Sequence, residues 1–217
     1  MIITFSRTVV LFFIVSLSLP LMAINTDTYY DKEKQSFITE ANFKVDLSHH
    51  ALTRIVADFA NYNRWALDRI NGESNEKSNV LTHVNSVKYL PDEQWGSFLL
   101  NFDLQLIWPL GHRGATINYQ ITNVKYSEDG KLLEKLTIAL TEKNFTTREF
   151  ILDLEFSPID SRSGVEINFT CRTRLAAWLD IFFSLKRYRH DIEWRLVRVA
   201  ENLQRVADNR RRLATEQ

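Results

Sequence analysis

The stretch that decides the fold is residues 178–206, with the sequence WLDIFFSLKRYRHDIEWRLVRVAENLQRV. Its apolar residues recur every three or four positions, which predicts one continuous helical stripe. The stripe consists of Trp178, Phe182, Leu185, Ile192, Leu196, Val199, Leu203 and Val206. Arg189 interrupts it once. We therefore expect a long C-terminal helix with one apolar face, and that face must pack on another element.

The preceding hundred residues predict a sheet that can supply this partner. Between residues 80 and 172, apolar and polar residues alternate in six runs separated by turn signals, the pattern of half-buried strands linked by hairpins. The inward residues of four runs are Phe98, Leu100, Phe102, Leu104 and Leu106; Ala115, Ile117, Tyr119 and Ile121; Phe150, Leu152, Leu154 and Phe156; and Val165, Ile167, Phe169 and Cys171. Turns are expected at Pro91-Asp92, at residues 109–111 and at residues 128–131.

Upstream of this region the chain predicts one more strand and two helices. Residues 37–45 alternate with period two, and Ser48 is a candidate N-cap for a helix that carries Leu52, Ile55, Val56 and Phe59. A second short helix is expected around Tyr62 and Trp65, and residues 25–35 read as a polar lead-in. The expected order is therefore strand, two helices, six strands and one long helix.

This order predicts an α+β protein in which a curved antiparallel sheet of about seven strands wraps around the C-terminal helix. Antiparallel sheets with one apolar face bury that face, and their twist curves them. A curved sheet and a straight helix leave space between them unless large side chains fill it. We expect an apolar cavity there, the usual form of a small-molecule site. The alternative is a core that Phe and Trp side chains fill completely.

The first 23 residues have the pattern of a signal peptide. Arg7 precedes an uncharged, mostly apolar run of about twelve residues, and Ala23 is a plausible last residue before cleavage. Residues 24–217 then form one domain. We expect a periplasmic or secreted protein. An uncleaved N-terminal membrane anchor, with the domain outside the cytoplasm, is the alternative.

Charge and cysteine content bear on the possible binding partners and on disulfide formation. The 217 residues carry 27 basic and 27 acidic side chains, so no net charge favours nucleic acid. Residues 172–212 are basic and the rest of the domain is acidic. The positive charge of the helix is either neutralised by the acidic rest of the domain, or available for a transient contact with anionic lipid headgroups. Cys171 is the only cysteine, which excludes an internal disulfide.

Three local stretches resemble the START-like, or helix-grip (SRPBCC), superfamily and are most similar to bacterial START lipid-binding domains. Residues 107–114 look like the family's aromatic-Pro, turn, Arg segment, with Gly114 where the family has Asp. Residues 176–179 are similar to its entry into the last helix, with Ala177 in place of Pro. Residues 58–65 resemble its helix pair. The resemblance covers residues 36–207 and implies a cavity for sterols, phospholipids, fatty acids or other apolar ligands.

The candidate cavity residues come from these patterns. They are Phe102, Trp108, Arg113, Tyr119, Arg148, Phe150, Phe169, Trp178, Phe182 and Arg189. Alternation places Arg148 and Glu134 on the inner face. Arg148 or Arg189 could hold a ligand carboxylate or phosphate, or these charges could form internal ion pairs. The turn at residues 108–110 is a candidate lid or membrane-touching tip.

No catalytic or metal-binding pattern is present in the sequence. It contains no HExxH, GxSxG, P-loop or GxGxxG motif, and its five His do not cluster with the cysteine. We therefore expect no cofactor and no metal. The signal-like N-terminus and the apolar sheet-and-helix pattern together predict an exported protein that binds or transfers a lipid or other hydrophobic small molecule. The alternatives are a polyketide cyclase/aromatase-like or other enzyme on the same fold, and an interaction module with a filled core.

Overall fold

A computed structural model describes residues 24–71, 82–92, 94–105, 111–159, 164–179 and 183–215. The predicted signal peptide, Trp108 with its turn, and Phe182 lie outside the described residues. The predictions made for them stay predictions.

The described residues form eight strands and three α-helices. The strands are β1 (Asn25–Asp31), β2 (Ser36–Val45), β3 (Thr82–Leu90), β4 (Ser97–Gln105), β5 (Gly111–Tyr126), β6 (Leu133–Leu140), β7 (Thr147–Pro158) and β8 (Val165–Leu175). The helices are α1 (His49–Val56), α2 (Tyr62–Trp65) and α3 (Leu185–Thr215). Single 3₁₀ turns at Phe59–Asn61 and Ala177–Leu179 precede α2 and α3.

All eight strands belong to one antiparallel sheet in the order β1-β2-β8-β7-β6-β5-β4-β3. Each strand from β3 to β8 pairs with the strand that follows it in sequence, as in a series of hairpins. The strand β2 pairs with β8 and so joins β1 and β2 to the same sheet. The predicted α+β helix-grip architecture is confirmed. The sheet has one strand more than expected, because residues 25–31 are a strand and not a loose lead-in.

Apolar alternation does not predict the strand β1, because the residue that β1 buries is a threonine and not an apolar residue. Thr28 is completely buried, and its Oγ1 lies 3.2 Å from the Thr39 Oγ1 of β2. The same hydroxyl donates to the Glu193 carboxylate of α3 at 3.3 Å. Hydrogen bonds of this buried threonine therefore help to hold the edge strand on the core, together with the edge-to-face contact of Tyr30 with Phe37 at 5.1 Å.

The predicted inward faces of the central strands are confirmed. Phe98, Phe102 and Leu104 of β4 are buried, as are Ile117 and Ile121 of β5. On β8 the buried residues alternate along the strand as Val165, Ile167, Phe169 and Cys171. The opposite face carries the charged pairs, so the sheet buries one side only.

The helix α1 closes one end of the sheet. The Ser48 hydroxyl accepts from the Ala51 backbone N–H at 3.3 Å, which confirms the predicted N-cap. On the buried side of α1, the Thr53 hydroxyl accepts from the Leu133 N–H at 2.9 Å. The helix is therefore fixed to the start of β6.

The long helix α3 approaches β1 and β2 most closely among the strands. Near its start, the Arg189 guanidinium donates to the Thr28 carbonyl of β1, from Nε at 3.2 Å. Further along, the Asn202 amide donates to the Asp68 carbonyl at 2.7 Å, and Arg205 pairs with the Asp68 carboxylate. Because α3 approaches β1 and β2 most closely, space remains between its first turns and the strands further along the sheet.

Replacement of Thr28 by Val tests the hydrogen bonds that hold β1. The change keeps the side-chain shape but leaves the buried Thr39 hydroxyl and Glu193 without this partner. We expect the free energy of unfolding in urea to fall by about 1–3 kcal/mol. Thr116→Val, at an exposed position of β5, is the matched control and should change it by less than about 0.5 kcal/mol. Equal effects of the two changes would show that the Thr28 hydroxyl contributes nothing.

Candidate functional site: a cavity between the sheet and the last helix

A cavity of about 160 Å³ lies between the sheet and α3. Five strands, the segment before α3 and the first turns of α3 form its walls. The lining residues are Thr82, Val84, Leu100, Phe102, Leu104, Ile117, Tyr119, Thr146, Thr147, Phe150, Thr173, Leu175, Leu179, Phe183, Tyr188, Asp191, Ile192 and Arg195. This is the place where the sequence predicted an apolar cavity.

The volume sets the size of what the cavity can hold. Pockets for drug-sized ligands measure about 300–1,000 Å³. An apolar cavity of about 150 Å³ is known to take up benzene or xenon. The described cavity therefore accommodates one aromatic ring or a short hydrocarbon segment, and not a complete sterol or phospholipid.

One wall of the cavity is polar, because α3 places an ion pair there. The Arg195 Nε lies 3.7 Å from the Asp191 Oδ2, and each side chain is less than one-fifth exposed. The Arg195 Nη2 donates to both the carbonyl and the hydroxyl of Thr82, each at 2.5 Å. Burial raises the pKa of Asp191, and the nearby charge of Arg195 opposes that rise.

Tyr188 and Thr173 form a second polar contact in the cavity wall. The Tyr188 hydroxyl donates to the Thr173 hydroxyl at 2.8 Å, and the tyrosine ring stacks on Phe37 with ring centroids 4.2 Å apart. Burial raises the pKa of both Tyr188 and Tyr119 above the ordinary tyrosine value. Both phenols are therefore neutral at physiological pH.

Cys171 lies beside this wall but is not a nucleophile. It is completely buried, and burial raises the pKa of its thiol to about 11. The reactive form of cysteine is the thiolate, which this environment disfavours. Cys171 is therefore an unactivated core thiol in this structure.

Three of the ten predicted cavity residues come together in the lining. Phe102 of β4, Tyr119 of β5 and Phe150 of β7 all face the cavity, and the Tyr119 and Phe150 rings meet edge to face at 4.8 Å. Phe169 is buried in the adjacent core with Leu196 and lies outside the lining.

The inner-face placement of Arg148 and the cavity placement of Arg189 are wrong. A register shift between Thr147 and Glu149 makes Arg148 the extra residue of a bulge, so Thr147 turns inward and Arg148 is exposed. Arg189 reaches the opposite way, to the carbonyl of Thr28 and to Glu193. Neither arginine lines the cavity.

Three other residues also lie outside the cavity. Arg113 is exposed on β5 and helps, after the Gly114 N–H and Asn85, to lower the pKa of Asp103. Trp178 is 41% exposed. Glu134, expected on the inner face, instead pairs with Lys125 at 2.8 Å, because a register shift at the end of β5 places it in a bulge.

Sequence reasoning missed Asp191 and Arg195, the charged residues of the cavity wall. A signal existed, since they lie four residues apart and flank Ile192 of the apolar stripe. The threonines of the lining were missed too. The Asn144 Oδ1 accepts from the backbone N–H groups of Thr146 and Thr147, and this turn sets their position.

Two kinds of feature are absent from the described residues. They contain no group of three or more His, Cys, Asp or Glu that could hold a metal ion. Within the same residues, no helix has both the length and the apolar character needed to cross a membrane.

Comparison with known proteins defines the class of fold. No protein-family model matches the chain, and no curated protein matches it. Several solved structures do match the chain. A START superfamily protein from Mycobacterium smegmatis matches with a TM-score of 0.51 at 11% identity, over 79% of this chain and 97% of that one. The Zhui aromatase/cyclase from a Streptomyces species gives 0.52 at 11% identity, over 88% and 98%.

A third solved structure, a STAR-related lipid transfer protein from Xanthomonas axonopodis, gives a TM-score of 0.51 at 11% identity, over 84% of this chain and 97% of that one. At this identity the likeness shows the fold alone. The chain has the START-like helix-grip fold that the sequence resemblance implied.

The burial of Cys171 leads to a simple chemical test. In the native protein at pH 7, we expect a thiol reagent such as DTNB to react with Cys171 at least a hundredfold more slowly than in urea, because the thiol is protonated and inaccessible. Rapid reaction of the native protein, followed by the absorbance of the released thiolate, would contradict this placement.

Proposed function

We propose that the protein binds a hydrophobic small molecule in the cavity between the sheet and α3. The observation that carries the proposal is the cavity of about 160 Å³, whose walls are mostly Leu, Ile, Val and Phe side chains. Apolar cavities of this size take up ring-sized apolar molecules because the hydrophobic effect favours transfer out of water. The helix-grip fold of proteins described as lipid-transfer and aromatase/cyclase proteins is consistent with it.

The ligand, or the part of it that enters the cavity, has the size of one aromatic ring or a short acyl segment. Eight of the eighteen lining residues are polar, and the other ten select by shape and apolar contact. The interaction-module alternative requires a filled core, and a cavity is the observation against it. An enzymatic role would need a group poised for acid–base chemistry, and the Asp191–Arg195 ion pair alone does not specify a reaction.

A cavity-filling substitution tests the proposed site. Val84 of β3 lines the cavity, and Val84→Phe adds a ring into that space. We expect toluene, titrated against the protein and followed by ¹³C-methyl NMR of the Leu and Ile side chains, to bind the unchanged protein. Its dissociation constant should rise at least tenfold in Val84→Phe.

The matched control is Val87→Phe, the same change on the same strand. Val87 is half-buried against the main core and lies outside the cavity. This variant should retain toluene binding. The same three proteins, purified and extracted with organic solvent, should yield an apolar molecule by mass spectrometry from all but Val84→Phe. Equal binding of toluene by both variants would contradict the cavity as the site.

We further propose that the protein is exported and exchanges its ligand at a membrane. The support for export is the signal-like sequence of residues 1–23. The support for exchange is a face made of Phe145 and Trp178, which are 43% and 41% exposed. We call this the aromatic face. The two aromatic rings stack with centroids 6.4 Å apart, and the Trp178 indole donates to the Phe145 carbonyl at 2.6 Å.

The charges around the aromatic face select the kind of membrane. Lys143 and Arg148, within three residues of Phe145 in sequence, are exposed, as is Lys186 near the start of α3, and Glu142 is an exposed acid of the same segment as Phe145. Glu149 is engaged by Arg172 at 3.0 Å and by Arg174 at 3.5 Å. Exposed aromatic residues with surrounding bases match an anionic lipid surface. The face also adjoins the cavity, because Thr146 and Leu179, the neighbours of Phe145 and Trp178, line it.

Vesicle binding tests the aromatic face. We expect the protein to sediment with phosphatidylglycerol-containing vesicles and less with pure phosphatidylcholine. The double variant Arg148→Glu/Lys186→Glu should lower the partition coefficient by at least about tenfold, since each basic residue near an anionic surface contributes about 1 kcal/mol. Phe145→Ser/Trp178→Ser should lower it as well.

The control removes equally exposed aromatic residues elsewhere. Tyr29 and Trp95 are 41% and 38% exposed, and Tyr29→Ser/Trp95→Ser should leave vesicle binding unchanged. A loss as large as that of the Phe145/Trp178 variant would show that general surface hydrophobicity, and not this face, governs binding.

A further inference from the structure

Two strands of the sheet have an outer edge. They are β1 and β3, which stand at the two ends of the strand order. The backbone N–H and C=O groups along such an edge can pair with a strand of another chain, and native proteins prevent this with bulges, lysines, prolines or a covering element. The two edges of this sheet differ in which of these features they carry.

The β3 edge carries several of them. The pairing of β3 with β4 shifts register between Val84 and Ser86, which marks a bulge, and Lys88 is exposed on the same strand. The Asn71 side chain donates to the Val84 carbonyl at 2.7 Å and accepts from the Val84 N–H at 2.8 Å. Asn71 therefore makes both of the backbone hydrogen bonds that an added strand would make at this residue.

The β1 edge lacks these features in its own sequence. The strand reads NTDTYYD, with no lysine and no proline, and it pairs with β2 residue for residue from Asn25 to Asp31, without a bulge. Its threonines and tyrosines are residues that favour strands, and Tyr29 and Tyr30 are exposed. The β1 edge is thus open to strand pairing unless another element covers it.

A side chain of α3 covers the middle of this edge. The Arg189 guanidinium donates to the Thr28 carbonyl from Nε at 3.2 Å and also from Nη2. The hydroxyls of Thr28 and Thr39 are only 3.2 Å apart, which is typical of a non-hydrogen-bonded antiparallel pair, whose backbone groups point away from each other. Arg189 therefore occupies an outward carbonyl at the centre of β1. Glu193 accepts from the Thr28 hydroxyl and lies 4.0 Å from the Arg189 Nε, which keeps the guanidinium in place.

We infer that Arg189 keeps the β1 edge closed to a second copy of this chain. Without the guanidinium, the β1 strands of two copies can pair antiparallel about a two-fold axis at Thr28, so that the same strand serves as both partners. In that register Asp27 lies opposite Tyr29 and Asp31 lies opposite Asn25, so no two acids face each other directly. This role is independent of the cavity, whose lining includes neither Arg189 nor any residue of β1.

Replacement of Arg189 by Met tests the inference, because Met keeps an apolar stem and removes the guanidinium. The mass of the intact protein is measured by size-exclusion chromatography with light scattering over a range of concentrations. We expect the mass of Arg189→Met to rise about twofold over that of the unchanged protein as the concentration increases. If circular dichroism shows that Arg189→Met does not fold, Arg189→Gln makes the same test with a polar side chain at this half-exposed position.

Two further variants distinguish an open edge from a general loss of stability. Thr26 is two residues from Thr28, so its N–H also points outward, and Thr26→Pro removes a donor that β2 does not use. The double variant Arg189→Met/Thr26→Pro should therefore return to the mass of the unchanged protein. Thr28→Val removes the side-chain hydrogen bonds of Thr28 but leaves its carbonyl to Arg189, and it should keep the mass of the unchanged protein.

Association of Arg189→Met that Thr26→Pro abolishes would support the closed edge. An unchanged mass of Arg189→Met at every concentration would overturn the inference. Association that persists in the double variant would overturn it too, since the contact would then lie elsewhere than on β1. Equal association of Thr28→Val would do the same, because lost stability and not an opened edge would then be the cause.

Discussion

The structure depends on how one apolar stripe of α3 packs on a sheet of eight strands. The helix approaches β1 and β2 closely and is fixed there by the hydrogen bonds of Arg189 and Glu193 to Thr28. A straight helix anchored over one edge of a twisted sheet cannot contact the far strands equally. The cavity against β3, β4, β5, β7 and the end of β8 follows from that geometry, and so does its position at the first turns of α3.

The anchoring also explains why the cavity wall is polar in one place. Because α3 stands away from the far strands, a side chain must be long to reach them. Arg195 spans the gap to Thr82, and Asp191 partly neutralises it. An ion pair in such a setting is not a source of stability, since desolvation offsets much of the attraction.

The sequence predicted the elements with strong periodicity and missed those that depend on single hydrogen bonds. The later part of the α3 stripe, with Leu196 and Leu203, and the alternation of β4, β5 and β8 follow from apolar spacing and are buried in the core. The start of the predicted stripe is wrong, since Trp178 lies in a 3₁₀ turn before α3 and is 41% exposed, and Leu185 is 37% exposed. The strand β1 was missed because Thr28 is buried through hydroxyl contacts. Arg148 was misplaced because a bulge reverses the alternation at the start of β7, and periodicity alone cannot reveal a bulge.

The site was predicted in position and in its aromatic lining, through Phe102, Tyr119 and Phe150, but not in its volume or its charged residues. The most direct test of the central claim is a crystal of the protein pressurised with xenon, with anomalous scattering used to locate the gas. The account predicts a xenon atom among Leu100, Ile117 and Ile192, since apolar cavities of this size take up xenon. Closed packing of these side chains, with no xenon between them, would contradict it.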